Sequence, residues 1–478
     1  MRYFRYQSLE ELEEDIQALN LQISLEHDVA KVRNCLGRPV KIGEHTVGNS
    51  MAIHPMEGCD GTLTGHPDEL VFRRYDRFGR GGAKLLWFEA TAVVPEGRAN
   101  TRQLLINDSS AKTFEALLKQ TRRAHKEAFG TTDDLVEVLQ LTHSGRYSAA
   151  RPLVCHNHPV LDAITFLDRK KGVSLPSDYP PLSDEYLESL EDRFADAARL
   201  AQEIGFKGVD VKLTHGYLGN ELLGARSRVG RYGGCLENRT RFARNVFRKI
   251  RDKVEPKFLL ASRLGIFDGI AYAVDPKTGK GTPRQFPTPY KNGFGVCEEN
   301  PLEPDLSEPR ELIRMFRDLG VKLVNISMGN PYVNPHIGRP FEKPDEGNYF
   351  PPEHPLIGVD RHFRLCGELQ KTFPDLVMVG SGYSWLQHFQ LHAGAANIRD
   401  GKVTIMGVGR GALAYPNFAQ DALVKGRLDP SHTCKTLTFC TYLMRQKHNA
   451  LGQFPTGCPP FDKEVYGPVV KEARATRR

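Results

Sequence analysis

Between residues 50 and 424, short apolar runs alternate with longer amphipathic ones, and the pair recurs eight times. The runs at 50–54, 84–89, 136–141, 208–212, 258–263, 322–327, 376–380 and 403–408 are short, apolar and bounded by polar residues, and read as strands. The stretches at 67–80, 110–129, 184–204, 238–253, 309–319, 359–373, 385–392 and 417–424 read as helices. The third is the clearest. Leu187, Leu190, Phe194, Ala198 and Leu200 fall on one face, and Ser183 stands ready to cap the first turn. Eight strand–helix units in a row imply an α/β fold of the (β/α)8 TIM-barrel type. The alternative, an open doubly wound sheet, favours a glycine-rich turn after its first strand. Here that turn is His54-Pro55-Met56-Glu57-Gly58.

The residues outside this repeat fall in definite places. Long segments follow the third, fifth and sixth strands, at 143–182, 264–308 and 328–358, and are rich in Pro, Gly, Asn and Tyr. In a barrel these are βα loops, on the face that carries active sites, and loops of such length bind something or act as lids. Leu9, Leu12, Ile16, Leu19 and Ile23 have helical spacing and predict an N-terminal helix acting as a lid or plug. The expected organisation is therefore an N-terminal helical extension over 1–37, one barrel over 38–428, and a C-terminal extension over 429–478 packed on the barrel.

Composition narrows the function classes. The chain of 478 residues is 40% hydrophobic and 26% charged, which suits a folded globular protein and not a disordered one. No apolar run approaches a membrane span, and the N-terminus turns acidic where a secretory leader would turn apolar. The net charge of +7 is modest; residues 463–478 hold five basic and two acidic side chains, and no basic stripe with interleaved aromatics points to nucleic acid. Nine scattered cysteines in a long chain without a leader favour reduced thiols and a cytoplasmic setting. Cys434, Cys440 and Cys458 cluster late, but three cysteines without a C-x2-C step do not make a zinc or iron–sulfur set, and they read as buried free thiols.

Chemistry concentrates at the strand ends. In Val209-Asp210-Val211-Lys212 the side chains alternate, so the valines face the helices and Asp210 and Lys212 face the barrel interior. A lysine there needs a role or a partner. His215 and Tyr217 follow at once, bringing three proton-handling groups to one mouth. The plainer alternative is a lysine–carboxylate salt bridge beside a packed histidine and tyrosine. Gln140 ends strand three and can donate to and accept from a planar heterocycle, or cap a neighbouring strand. Arg263 ends strand five, suited to an anion or an electron-rich ring edge, or to an inward carboxylate. After strands seven and eight come Gly380-Ser381-Gly382-Tyr383 and Gly407-Val408-Gly409-Arg410-Gly411. These two loops are where barrels build a phosphate site, although they are also what two tight turns would look like. His156-Asn157-His158, with His215, sketches a metal-dependent hydrolase as an alternative of another class.

The segments QLTHSGR (140–146), GVDVKLTHGYL (208–218), YGGCLENRTRF (232–242) and GVGRGALAYP (407–416) resemble the Old Yellow Enzyme family of NADH:flavin oxidoreductases. The nearer branch is similar to the barrel domain of 2,4-dienoyl-CoA reductase and trimethylamine dehydrogenase, and the likeness extends over roughly 38–428. It implies an FMN-binding barrel. By that resemblance Pro55, Met56 and Glu57 pass near the isoalloxazine and Ala90 lies at its edge. Gln140 and Arg263 contact the pyrimidine part, and Ser381, Gly382, Tyr383, Gly407, Gly409 and Arg410 hold the phosphate. Lys212 and His215 match the family's substrate-oxygen pair, which is usually two histidines or a histidine and an asparagine, and Tyr217 matches its proton-donating tyrosine. Glu57 stands where the family often has threonine or cysteine, so covalent flavin is not expected. The incomplete cysteine set argues against an iron–sulfur cluster.

The resemblance implies an FMN-dependent oxidoreductase that moves a hydride between flavin N5 and a small organic substrate, reducing an activated C=C at the expense of NAD(P)H. The alternative within the class is a dehydrogenase that oxidises its substrate, with Lys212, His215 or Glu57 as base, and hands electrons to a separate protein. Substrate identity, direction and oligomeric state stay open.

Overall fold

The structure is a computed structural model and describes residues 4–168, 171–344, 348–446 and 451–476. Residues 1–3, and residues 477 and 478 of the basic tail, lie outside these.

Eight parallel strands close into a barrel. They are β1 (Met51–Ile53), β2 (Leu85–Ala92), β3 (Val136–Thr142), β4 (Gly208–Val211), β5 (Leu259–Gly265), β6 (Leu323–Ser327), β7 (Val377–Gly380) and β8 (Ile405–Val408). Each pairs with its successor and β8 returns to β1. Every strand read from the sequence is present. The outer ring is α1 (Glu69–Arg80), α2 (Asp108–Phe129), α3 (Asp184–Ile204), α4 (Arg241–Lys253), α5 (Ser307–Asp318), α6 (Pro355–Thr372), α7 (Gln390–Arg399) and α8 (Phe418–Lys425). In α3 the Ser183 side chain accepts from Tyr186 N, and Leu187, Leu190, Phe194 and Ala198 are buried, as the spacing requires.

The seventh helix departs from expectation. The predicted span 385–392 straddles a tight 3-10 segment, Tyr383–Phe389, which is broken at Gln387 (φ 49°), and the start of α7. The core of α7, His392-Ala393-Gly394-Ala395-Ala396-Asn397, is buried. A Cβ on Gly394 would sit 2.3 Å from Met406 Sδ. A helix enclosed by its neighbours has no polar face, and so gives no amphipathic signal.

The N-terminal helix spans Leu9–Ala18 and is neither lid nor plug. Leu12 and Ile16 are buried, Phe4 and Tyr6 pack edge-on against Trp385, Gln22 N donates to Asp360 of α6, and Lys402 donates to Gln22 O. This segment therefore lies along the outer layer. The plug is a hairpin instead: Val40–Ile42 paired with His45–Val47, turning at Gly43 (φ 57°). Its Val40, Ile42 and Val47 join one apolar cluster with Ala52, Leu85, Trp87, Val138, Ala261 and Ile405 from the barrel interior.

The inner face changes character along the strands. Stepping by two toward the C-terminal ends, Ala52 gives way to His54, Val138 to Gln140, Gly208 to Asp210 and Lys212, Ala261 to Arg263, Leu323 to Asn325 and Ser327, and Val379 to Ser381. The period of two carries one face from hydrocarbon floor to polar mouth. Residues beyond α8 fold over that mouth. Thr456 N donates to Gly58 O (2.6 Å), Thr101 Oγ1 to Leu451 O (2.7 Å), Arg445 to Pro331 O (2.6 Å), and Arg73 and Arg77 of α1 both hold Asp462. Among the described residues no helix is long and apolar enough to cross a membrane.

Candidate active site

Asp210 is the hub beneath the mouth. Its Oδ2 accepts from Gln140 Nε2 (2.6 Å) and Trp87 Nε1 (2.9 Å), and its Oδ1 accepts from the Arg263 main-chain N–H (2.6 Å). Burial pushes its pKa up. The first bond orients the Gln140 side chain and the last holds the Arg263 main chain. Arg263 then projects into the mouth with little to hold it. Nη1 lies 3.5 Å from Pro55 O, and the buried Nε has no partner. Burial lowers its pKa to about 10.

Above Asp210, Lys212 Nζ sits 3.5 Å from the centre of the Tyr217 ring and 3.4 Å from Glu57 Oε1. Burial lowers the lysine to about 8, assisted by Arg263 and opposed by Glu57. The Tyr217 hydroxyl donates to Glu57 Oε1 (3.3 Å) and also meets the Tyr332 hydroxyl (3.3 Å). Burial, with the Glu57 charge, raises the Tyr217 phenol well above its usual range. Tyr332 in turn stacks on Tyr147 (centroids 3.9 Å apart) and forms the rim. His215 has φ 68°, a left-handed backbone that is rare outside glycine and aims its ring across the mouth to Ser327 Oγ (3.2 Å from Nε2). Burial and the cations Arg263 and Lys212 hold it neutral.

On the far side, Asn325 Nδ2 donates to His54 Nδ1 (2.9 Å), and His54 Nε2 meets Ser381 Oγ (3.1 Å), which donates to Ile326 O (2.8 Å). His54 lies against β8: a Cβ on Gly407 would be 2.2 Å from its ring and 2.7 Å from Gly380 O. Gly409 leaves room for Met56, and Gly382 has φ 95°. Tyr383 turns outward, its ring against Phe363 and its hydroxyl accepting from Asn397, so only its main chain faces the loop. Arg410 reaches Thr441 of the C-terminal residues (2.5 Å) in a cavity shared with Arg339 and Lys435. Burial beside Arg339 lowers its pKa to about 9. Ala90 is buried, and its carbonyl accepts from Gln103 Nε2 (3.1 Å), which also donates to Glu57 (3.1 Å).

With this mouth in view, the comparisons decide the family. The sequence profile of the NADH:flavin oxidoreductase / NADH oxidase family matches residues 36–276, half of the chain. The chain belongs to that family. An NADPH dehydrogenase of Bacillus cytotoxicus is 32% identical over 234 residues, covering 47% of this chain and 61% of that protein. Among solved structures, 2-naphthoyl-CoA reductase bound to 2-naphthoyl-CoA superposes with a TM-score of 0.61 at 18% identity, over 85% of this chain and 55% of that one. The Zymomonas mobilis old yellow enzyme homologue superposes with a TM-score of 0.58 at 20% identity, over 83% and 94%. These two share the fold. The chain thus spans little more than half the length of some of its relatives.

Members of this family use a flavin and a nicotinamide, and the residues at the mouth fit a flavin. Arg263 and Asn325 carry buried polar atoms without partners, Gln140 has an amide oxygen to spare, and the glycines at 407 and 409 keep the backbone open to an anion. The other sites sketched from sequence do not assemble. His158 Nδ1 accepts from Val160 N and Leu161 N and its Nε2 meets Tyr290, while His215 is engaged at Ser327. Among the described residues no three His, Cys, Asp or Glu side chains converge to hold a metal. Cys434, Cys440 and Cys458 are partly exposed, not fully buried, and line the cavity of Arg339 and Arg410.

The sequence reading missed His54, Asn325 and Ser327, which the period-two inner face could have marked. It also missed Gln103, Tyr147 and Tyr332, for which no local pattern exists.

Proposed function

We propose that this protein binds FMN without a covalent link and reduces an activated C=C of a small organic substrate at the expense of NAD(P)H. The observation that carries the reading is a buried, under-bonded Arg263 beside the Lys212–His215–Tyr217 group, at the mouth of a barrel of this family. When bound, FMN supplies the hydride chemistry. Gln140 and Arg263 would hold its pyrimidine edge, with Arg263 offsetting negative charge there. Pro55, Met56 and Ala90 would line the ring. Ser381, Gly382, Gly407, Gly409, Arg410 and the Tyr383 main chain would hold the phosphate. Cys59, buried and kept as a thiol well above its usual range, is a poor candidate for a covalent link.

The substrate oxygen is held by Lys212 and His215. Charge developing on it is offset by a preorganised cation in a site shielded from water. Tyr217 gives its hydroxyl proton to the substrate carbon: the O–H bond breaks as the new C–H bond forms. The reverse direction, oxidation for a separate acceptor, is favoured by one observation only, that Lys212 at about 8 can also serve as a base.

Purified protein should absorb near about 450 nm, or acquire that band with added FMN. Anaerobic titration with NADH, NADPH and candidate substrates then identifies what bleaches it, and with it the direction. Tyr217→Phe should slow substrate reduction by about 100-fold or more and leave bleaching by the nicotinamide intact. Equal loss in both steps contradicts the role given to Tyr217.

A further inference from the structure

We propose that Glu57 relays protons between Lys212 and Tyr217 and so reloads the tyrosine after each turnover, an inference that rests on the oxidoreductase reading above. Three groups meet one oxygen. Glu57 Oε1 lies 3.3 Å from Tyr217 Oη, 3.4 Å from Lys212 Nζ and 3.1 Å from Gln103 Nε2. A residue serving the cofactor alone has no need to stand between a proton donor and a buried ammonium.

The loop is built to keep that oxygen in place. Gly58 N donates to Glu89 Oε2 (3.0 Å), Arg74 binds Asp60 through both terminal nitrogens (2.7 and 3.0 Å), and the same guanidinium holds Glu89. Gln103 is itself fixed, its Oε1 accepting from Ala99 N (2.6 Å). Glu57 also keeps touch with solvent: its side chain is 13% exposed, against 5% for Lys212.

The transfers balance without any redox partner. Tyr217 loses its proton to the substrate carbon and becomes a phenolate, stabilised by the ammonium over its ring. The Lys212 ammonium gives a proton to the Glu57 carboxylate, and the resulting acid gives it to the phenolate oxygen. Lys212 is left neutral and regains a proton from water through Glu57. One proton passes from solvent to substrate, and the three side chains return to their starting states. The charged or titratable groups facing this set are Asp210, Arg263, His215, Tyr332 and Cys59, with Asp60 and Glu89 behind Cys59.

The test is Glu57→Gln in the full chain, which keeps the shape and cannot carry a proton. Substrate reduction should fall about 100-fold, the usual scale for losing a positioned proton carrier. In the flavin-free chain, lysine 13Cε NMR should show a resonance titrating near about 8 that is absent in Lys212→Met. Glu57→Gln should move it to lower pH. Glu57→Asp should recover part of the rate, and formate added to Glu57→Ala should raise it at least several-fold. An unchanged rate in Glu57→Gln, whatever its lysine titration, in a wild type that takes up FMN and turns over, overturns the relay alone. A wild type that takes up no FMN overturns the relay and the oxidoreductase reading together.

Discussion

Lys212 is a cation placed where water hardly reaches it, and that position sets its pH behaviour. Burial favours the neutral amine, so its folded pKa falls from 10.5 to about 8 although Glu57 pulls it upward. The sign is that of a base with a depressed pKa: the charge is kept below about 8 and lost above it. If substrate reduction needs the ammonium at the substrate oxygen, its rate should decline as pH rises through about 8. Lys212→Met should be slower and should lack that limb, in stopped-flow profiles of the oxidative step alone. Lys212, His215 and Tyr217 were legible from sequence because they sit within six consecutive positions at a strand end. Their partners were not. Tyr332 is 115 positions from Tyr217, and Ser327 is 112 from His215. Contacts over such separations are set by the closing of the barrel, which no local spacing encodes.

At the scale of elements, the strands were easy to read and one helix was not, for related reasons. A barrel strand is apolar on both faces near its start, so it appears as a short hydrophobic run whatever surrounds it. A helix is recognised by contrast between its faces, and α7, wedged between β8 and the helix at Val29–Leu36, has none. The hairpin that closes the floor was missed because exposed Lys41 and Thr46 interrupt its apolar positions. Element packing also explains Gly407. With His54 on one side and the Gly380 carbonyl on the other, an added methyl has no space. Gly407→Ala should therefore cost about 1–3 kcal/mol, seen as a lower urea midpoint. It should also displace the His54 ring from Asn325 and Ser381, visible in the histidine NMR signals.

For the whole molecule, the hydrophobic floor matters as much as the polar mouth. Val40, Ile42 and Val47 seal one end of the barrel, and the C-terminal residues gather the loops around the other. The mouth is thus approached from the loop side alone. Anything that visits it must leave by the way it came before the next visitor can enter. A nicotinamide donor and an acceptor working at this site must then take turns, each blocking the other when in excess. Steady-state rates measured against both should give parallel double-reciprocal lines, bending upward at high acceptor; intersecting lines would mean that the mouth has room for two.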